Sequence, residues 1–366
     1  MKKLLYILPF IMLYWGCEDV NDLHKPFIEN GEIIYSVKVD SVASFPGRNR
    51  ILIKAGFNSA PHIKKVRITW DDGEASQEWD VQGSNDTVYY DFTITDLEEK
   101  SYIFSLYSID EAGNRSIKTD AFASVYGDKY EATLKNRFIK EIKLNRDSAV
   151  IYWLDPQLGV VYSDLDYYDN DGNMHTVRVS KDTAQTVLKN CDYLVDLTYQ
   201  TAYLPEPTAI DTFLAPQSVI DLSVYPYLLD KSDWTVQEVS SETTDGPASN
   251  LLDEDYETYW LTEAVGLPQF YVIDMKKPIK IEKFLSVRKQ GDRSAPKHVH
   301  FYVSNDLTNW VDLGEYRYKY YIDAVQEFVV DTDGPYRYFK VEAVDGANDY
   351  TSMSDISVYG YIVRGE

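Results

Sequence analysis

Short stretches in which apolar and polar residues alternate recur along much of the chain, among them IIYSVKVDSV, RILIKAGF, VRITW, TVYYDFTI and YIFSLYSI. A period of two sends successive side chains to opposite faces, so each stretch reads as a strand with one face buried. Long patterns of helical period are absent, and 31 tyrosines accompany the recurring Val, Ile, Thr and Phe, all residues that fit a pleated, half-buried surface. The chain is therefore expected to be nearly all β. Its 366 residues exceed one small β-domain, since domains typically hold about 100–150 residues, and three domains are expected.

Turn chemistry orders the first two. Asp71–Asp72–Gly73 lies between VRITW and EASQEW, and Asp-Gly is a hairpin signal because the turn requires positive φ. A weak echo follows: RILIKAGF is matched by SAVIYWLD, Asp72–Gly73 by Asp171–Gly172, and YIFSLYSIDEAGNRS by YLVDLTYQTAYLPEPT. The strand ending Tyr152–Trp153 and the segment YSIDEAGNRS, Tyr107–Ser116, resemble fibronectin type III domains. The resemblance implies two tandem fibronectin type III or immunoglobulin-like β-sandwiches, at 28–126 and 127–222. The pair also resembles, over roughly 22–215, an N-terminal family of unassigned function found in surface lipoproteins. YYDNDGNMHTVR superficially matches a calcium EF-hand loop, but its first and twelfth positions are Tyr167 and Arg178 where acids belong, so it is read as a hairpin turn. Four prolines, Pro205, Pro207, Pro216 and Pro226, then mark an edge strand and an inter-domain connection, with a new domain beginning near Tyr225.

At the N-terminus, Lys2 and Lys3 precede the apolar run Leu4–Trp15, too short for a membrane span of about 20 residues but suited to an export signal, 1–17. Gly16–Cys17 resembles the lipobox of bacterial lipoproteins, although Tyr14 and Trp15 depart from it and Leu13 stands one step early. The resemblance implies a lipid on Cys17 and a tether at 18–27; the alternative is a plain signal peptide with an incidental cysteine. Glu18, Asp19 and Asp22 resemble the signal that sends lipoproteins of glycan-foraging Gram-negative bacteria to the outer face of the outer membrane. With Cys17 acylated, Cys191 has no disulfide partner and is expected to be a buried small apolar residue. Loss of the two leader lysines makes the formal charge of −23 more negative still. Nucleic acid and anionic lipid would repel such a chain, so no nucleic-acid partner is expected and membrane contact is through the anchor only.

The last third carries the most ordered set of motifs. VSSETTDGPASNLLDEDYETYW, PQFYVIDMKKPIKIEKFLSV, HVHFYVSNDLTNWVDLG, YFKVEAVDG and MSDISVYG together resemble the discoidin, or coagulation factor type C, domain, used in bacteria as carbohydrate-binding module family 32. The resemblance covers 225–362 and implies a jelly-roll β-sandwich of about eight strands. It also implies a structural calcium, with Asn250, Asp253, Asp255 and Thr258 at ligand positions and Asp355 where glutamate is usual. Calcium takes six to eight hard oxygens, which a tight oxygen-rich loop supplies. Two departures stand out: Glu254 replaces a glycine, and Asp355 is one methylene shorter. The alternative is a loop held by its own side-chain hydrogen bonds.

The same resemblance places a sugar site on loops at one end of the sandwich. Sugar recognition needs an aromatic face for the ring's C–H patch and polar groups for its hydroxyls. The loop after FLSV offers Arg288, Lys289, Gln290, Asp292 and Arg293, with the sugar-binding arginine falling at Arg288 or Lys289; a solvated strand end is the other role open to these two. The late loop offers Asn348, Asp349 and Tyr350, with Tyr350 as platform; packing within its own loop is the other role open to Tyr350. Leu261 and Thr262 follow Trp260 where galactose binders often have histidine, so galactose specificity is not carried over. Trp234, Trp260 and Trp310 are expected in the core. His298 and His300 share a strand face, and two histidines make no zinc site. Arg288, Lys289, Arg293 and Lys297 form a basic group that hints at an acidic sugar.

G-x-S-x-G, H-E-x-x-H and P-loop patterns are absent, and three sandwiches leave no room for a catalytic domain. The expectation is a non-enzymatic, lipid-anchored outer-membrane protein that captures a glycan or polysaccharide for an uptake system, in reach of a transporter complex. The rivals are an adhesin gripping a host protein and a divergent glycosidase or its accessory subunit.

Overall fold

The computed structural model describes residues 34–364; the export signal, Cys17 and the tether lie outside the described residues. Among the described residues, no helix is long and apolar enough to cross a membrane. The chain divides into two compact units, one made of residues up to Tyr130 together with Pro205–Thr212, the other of Glu131–Leu204 and Phe213 onward.

In the first unit the strands are β1 (Ser41–Pro46), β2 (Ile51–Phe57), β3 (Ile63–Trp70), β4 (Ala75–Asp80), β5 (Val88–Ile94), β6 (Ser101–Asp110) and β7 (Thr119–Ser124). They form two antiparallel sheets, ordered β1-β2-β5 and β4-β3-β6-β7. Alternate residues of each face the other sheet: Ile51, Ile53 and Phe92 from one, Val66, Ile68, Phe104 and Leu106 from the other, all buried in one cluster. The expected Asp-Gly turn joins β3 to β4, with Asp72 at φ 56 and Gly73 at φ 90. Asp211 pins the returning segment of this unit, its carboxylate accepting from Arg50 Nε at 2.9 Å and from the Arg48 amide at 2.8 Å.

The second unit opens with another sandwich: β8 (Ile139–Leu144), β9 (Ser148–Trp153), β10 (Val160–Tyr168), β11 (Met174–Ser180), β12 (Gln185–Lys189), β13 (Leu197–Tyr203), β14 (Phe213–Leu214) and β15 (Ser218–Ile220). Its sheets are ordered β12-β9-β8 and β11-β10-β13-β14, with β15 also on β13. The first five strands and β13 repeat the pairing of β1–β6, so the sequence echo is a structural repeat. YYDNDGNM is a hairpin turn, as expected: Asp169 Oδ1 accepts the Asp171 and Asn173 amides at 3.0 and 2.8 Å. Cys191 is a buried free thiol, and burial pushes its pKa up to about 12.

The remaining strands are β16 (Tyr227–Leu228), β17 (Thr235–Val239), β18 (Trp260–Leu261), β19 (Gln269–Val287), β20 (His298–Ser304), β21 (Val311–Arg317), β22 (Gln326–Val329), β23 (Tyr336–Asp345), β24 (Ser352–Met353) and β25 (Asp355–Ile362). The nineteen-residue β19 organises them. Its first part pairs with β17 and β23, its second with β22 and β25. Between them the register breaks and Lys276 takes φ 66, so one strand serves both layers of the sandwich. Asp274 fixes the bend: its buried carboxylate accepts the Lys276 amide at 2.8 Å and Arg337 Nε and Nη2 at 2.8 Å each. Arg337 and the Lys276 amide hold its pKa well below the usual carboxylate range against the opposing effect of burial. Between the layers lie Trp260, Tyr271, Phe284, Phe301, Phe339 and Ile356. Trp234 and Trp260 are buried as expected; Trp310 is only half-buried.

The second sandwich and the C-terminal domain share one compact unit. The reason is physical contact across the predicted connection. Leu222 is fully buried in the sandwich core, Tyr193 meets Tyr227 edge-on at 5.1 Å, and Arg364 Nη1 reaches Asp196 at 2.7 Å.

Candidate functional site

Four loops gather at one end of the C-terminal sandwich: 259–268, 288–297, 318–325 and 346–354. Backbone hydrogen bonds fasten the last to the first, with the Gly266 amide donating to Asp349 O at 2.9 Å and the Thr262 amide to Thr351 O at 3.1 Å. The Thr351 amide returns a bond to Thr262 Oγ1 at 3.0 Å. Ser352 N donates to Ser294 O at 3.2 Å and the Ser294 and Ser352 hydroxyls meet at 2.5 Å, which ties in the second loop. Asp323 ties in the third: its Oδ1 accepts the Gly291 amide at 3.0 Å, and its carbonyl accepts Gln290 Nε2 at 3.2 Å. Loops so cross-linked are rigid supports for exposed side chains.

The predicted sugar-binding residues divide on this frame. Tyr350 is 36% exposed, and Asn348 beside it is exposed. The sugar-binding position was expected at Arg288 or Lys289; Arg288 is only 5% exposed. Its Nη2 meets Asp323 Oδ1 at 2.5 Å and its Nη1 donates to Lys289 O at 3.3 Å, so it braces two loops rather than offering a free cation. Lys289 is half-buried, its Nζ 3.8 Å from the Tyr259 ring centroid and 3.4 Å from Asp292 Oδ2. Asp292 caps its own loop by accepting the Ser294 amide at 2.9 Å. Arg293 is exposed. Of the basic group, then, Arg288 and Lys289 are already engaged with acids. His298 and His300 each face an aspartate, Asp345 at 3.0 Å and Asp312 at 2.5 Å.

The predicted metal ligands also divide. Asn250 Nδ2 donates to Tyr259 O at 3.0 Å. Asp253 accepts the Asp255 amide at 3.0 Å through Oδ1, and its Oδ2 lies 2.7 Å from Thr258 Oγ1. Asp255 accepts the Glu257 amide at 3.0 Å. Glu254, which stands where glycine is usual, is held at φ 63, and its carboxylate pairs with both terminal nitrogens of Arg146, at 2.8 and 2.5 Å. Asp355 is buried, with Oδ1 accepting Ser357 Oγ at 2.9 Å and Oδ2 bound by the ammonium of Lys231. Burial pushes its carboxyl above the ordinary range, and Lys231 opposes that shift. Among the described residues, no group of three or more His, Cys, Asp and Glu is placed to hold a metal.

Lys231 and Asp323 were missed by sequence reasoning. Lys231 carries a weak signal: it sits three residues before a tryptophan and two after a leucine, both buried, so its stem runs into the core. Asp323 has none, being one acid among 59.

Comparison with known proteins places these features in families. A family described as a domain of unknown function, DUF4998, matches residues 17–213, and the F5/8 type C domain matches 235–356, as the motifs of the last third implied. No curated protein matches. Among solved structures, the C-terminal domain of a Bacteroides fragilis chitobiase is 27% identical, spans 37% of this chain and 99% of its own, and has a TM-score of 0.35. The family 32 module of C. perfringens NanJ, solved with galactose, is 19% identical over 37% of this chain and 98% of its own, with a TM-score of 0.33. A further family 32 module from Clostridium perfringens, in complex with GalNAc-β-1,3-galactose, is 19% identical over 36% and 98%, with a TM-score of 0.34.

Proposed function

We propose that this chain, which belongs to the DUF4998 family of unknown function and ends in an F5/8 type C domain, captures glycan at the cell surface without altering it. The observation that carries the reading is the late loop. An exposed aromatic, Tyr350, and an exposed amide, Asn348, stand on a segment fastened to its neighbours by four backbone-amide bonds. That is the pairing a pyranose needs, an aromatic face for its C–H patch and a planar polar group for its hydroxyls. Little ordering cost remains to be met on binding, because the loop is already fixed. Several matched solved structures are family 32 carbohydrate-binding modules, which agrees with this class of ligand.

Arg288 acts here as a positioning residue. Its ion pair with Asp323 holds the second and third loops in place, while Tyr350 and Asn348 meet the sugar and the exposed Arg293 is left to meet an acidic substituent. The export signal and Cys17 anchor the protein to the outer membrane facing outward, and the two sandwiches serve as a spacer before the C-terminal domain. Surface capture raises the concentration of a polysaccharide near an uptake transporter, so modest affinity per site suffices.

A glycan array probed with residues 18–366 tests the reading. Binding to one glycan class, lost in Tyr350→Ala, is expected. Binding to a host protein that survives enzymatic deglycosylation would favour an adhesin instead, and release of shortened saccharides would favour a glycosidase.

A further inference from the structure

We infer that the ammonium of Lys231 takes the place of the calcium ion that the oxygen-rich loop leads one to expect, making the C-terminal domain independent of metal. The inference does not rest on the glycan reading. Lys231 is 1% exposed, and its Nζ points at three oxygens: Leu251 O at 3.1 Å, Ile356 O at 3.0 Å and Asp355 Oδ2. These come from the two segments that the sequence assigns to a calcium shell, the 248–260 loop and the start of β25. An ammonium has three donors and no acceptor, so three oxygens saturate it, and one carboxylate balances its charge.

The turn that delivers Lys231 is itself fixed. Asp230 accepts the Ser232 amide at 2.9 Å, the Trp234 amide donates to Lys231 O at 3.0 Å, and Leu229 and Trp234 are buried on either side. The clamp therefore joins the entry of the domain, its central loop and its final strand.

Both departures from the family pattern now have a reason. The shorter Asp355 leaves length for a lysine to meet it, whereas a longer carboxylate would overrun the same point. Glu254, at φ 63 where glycine is usual, turns its carboxylate outward to Arg146 and adds no oxygen to an ion shell. The remaining donors satisfy one another: Thr258 with Asp253, and Asp253 and Asp255 with backbone amides. A calcium ion would meet a positive charge already in place, too few free oxygens for its six to eight, and no cluster of three acids among the described residues.

Thermal unfolding of the full chain, after chelator treatment and again with millimolar calcium, tests this directly, together with titration calorimetry of calcium into stripped protein. Equal melting temperatures and no binding heat are expected. A drop of several degrees on chelation, or stoichiometric calcium heat, would overturn it. Lys231→Ala supplies the second arm. It should melt below wild type in chelator and regain part of the loss in calcium, because the vacated oxygens then face a cation. A variant as stable as wild type in chelator would also overturn the inference.

Discussion

Replacing Lys231 by methionine keeps most of the side chain's length and removes its charge, which isolates the ammonium's contribution to stability. Asp355 is 4% exposed, so the variant leaves a carboxylate buried without its counter-charge, a change that typically costs about 3–5 kcal/mol. The carbonyls of Leu251 and Ile356 lose a donor at the same time; this adds about 1 kcal/mol if water does not reach them. A loss of about 4–6 kcal/mol follows. Urea unfolding followed by tryptophan fluorescence reports it, since the fully buried Trp260 lies in the same domain core. With a slope of about 2 kcal/mol per molar urea, the midpoint of the C-terminal transition should fall by about 2–3 M. Lys231→Met combined with Asp355→Leu should recover to within about 1 kcal/mol of wild type, because an apolar pair often replaces a buried ion pair at no cost. A single variant whose midpoint matches wild type, or a double variant worse than the single, would refute the reasoning.

Three further outcomes follow from other sites. His175 and the Asn173 amide hold the Asp169 carboxyl down at about 2; the stability this gives is complete above the ordinary carboxylate range and is lost as pH falls toward 2. Asp169→Asn should flatten the acid limb of the stability curve between about pH 4 and 2, and an unchanged limb would show that the turn is not coupled to folding. The Arg146–Glu254 pair is partly exposed, so a double-mutant cycle with alanine should give a coupling of about 0.5–1 kcal/mol, against zero if the two modules do not lean on each other there. Glu254 sits at φ 63, so Glu254→Gly should be more stable than Glu254→Ala by about 1 kcal/mol, measured in the same urea titration.

What the sequence discloses depends on whether a signal is local. The β3–β4 turn is written in Asp72–Gly73 because positive φ selects those residues at that point. The repeat is visible because RILIKAGF and SAVIYWLD both bury alternate residues, and they become β2 and β9 at equivalent places in their sheets. The blocks around Trp260 and Phe284 disclose the C-terminal domain for the same reason. Pairings between distant, individually ordinary residues stay hidden. Nothing near Lys231 announces Asp355, 124 positions away, and nothing near Arg288 announces Asp323. Both pairs change the reading of the site: one fills the expected ion position, and the other turns an expected sugar ligand into a brace. The junction at Tyr193 and Tyr227 was obscured by four prolines, which mark breaks in strand pairing but do not say whether the broken segment is packed.

On the proposed function, the rim around Tyr350 binds a saccharide and returns it unchanged. Calorimetric titration of the full chain with an array-identified oligosaccharide, with the ligand recovered and weighed by mass spectrometry, tests it most directly. One binding event per chain, abolished in Tyr350→Ala, with a recovered glycan of unaltered mass, is the predicted result. Undiminished binding by Tyr350→Ala, or a glycan recovered in pieces, would contradict it.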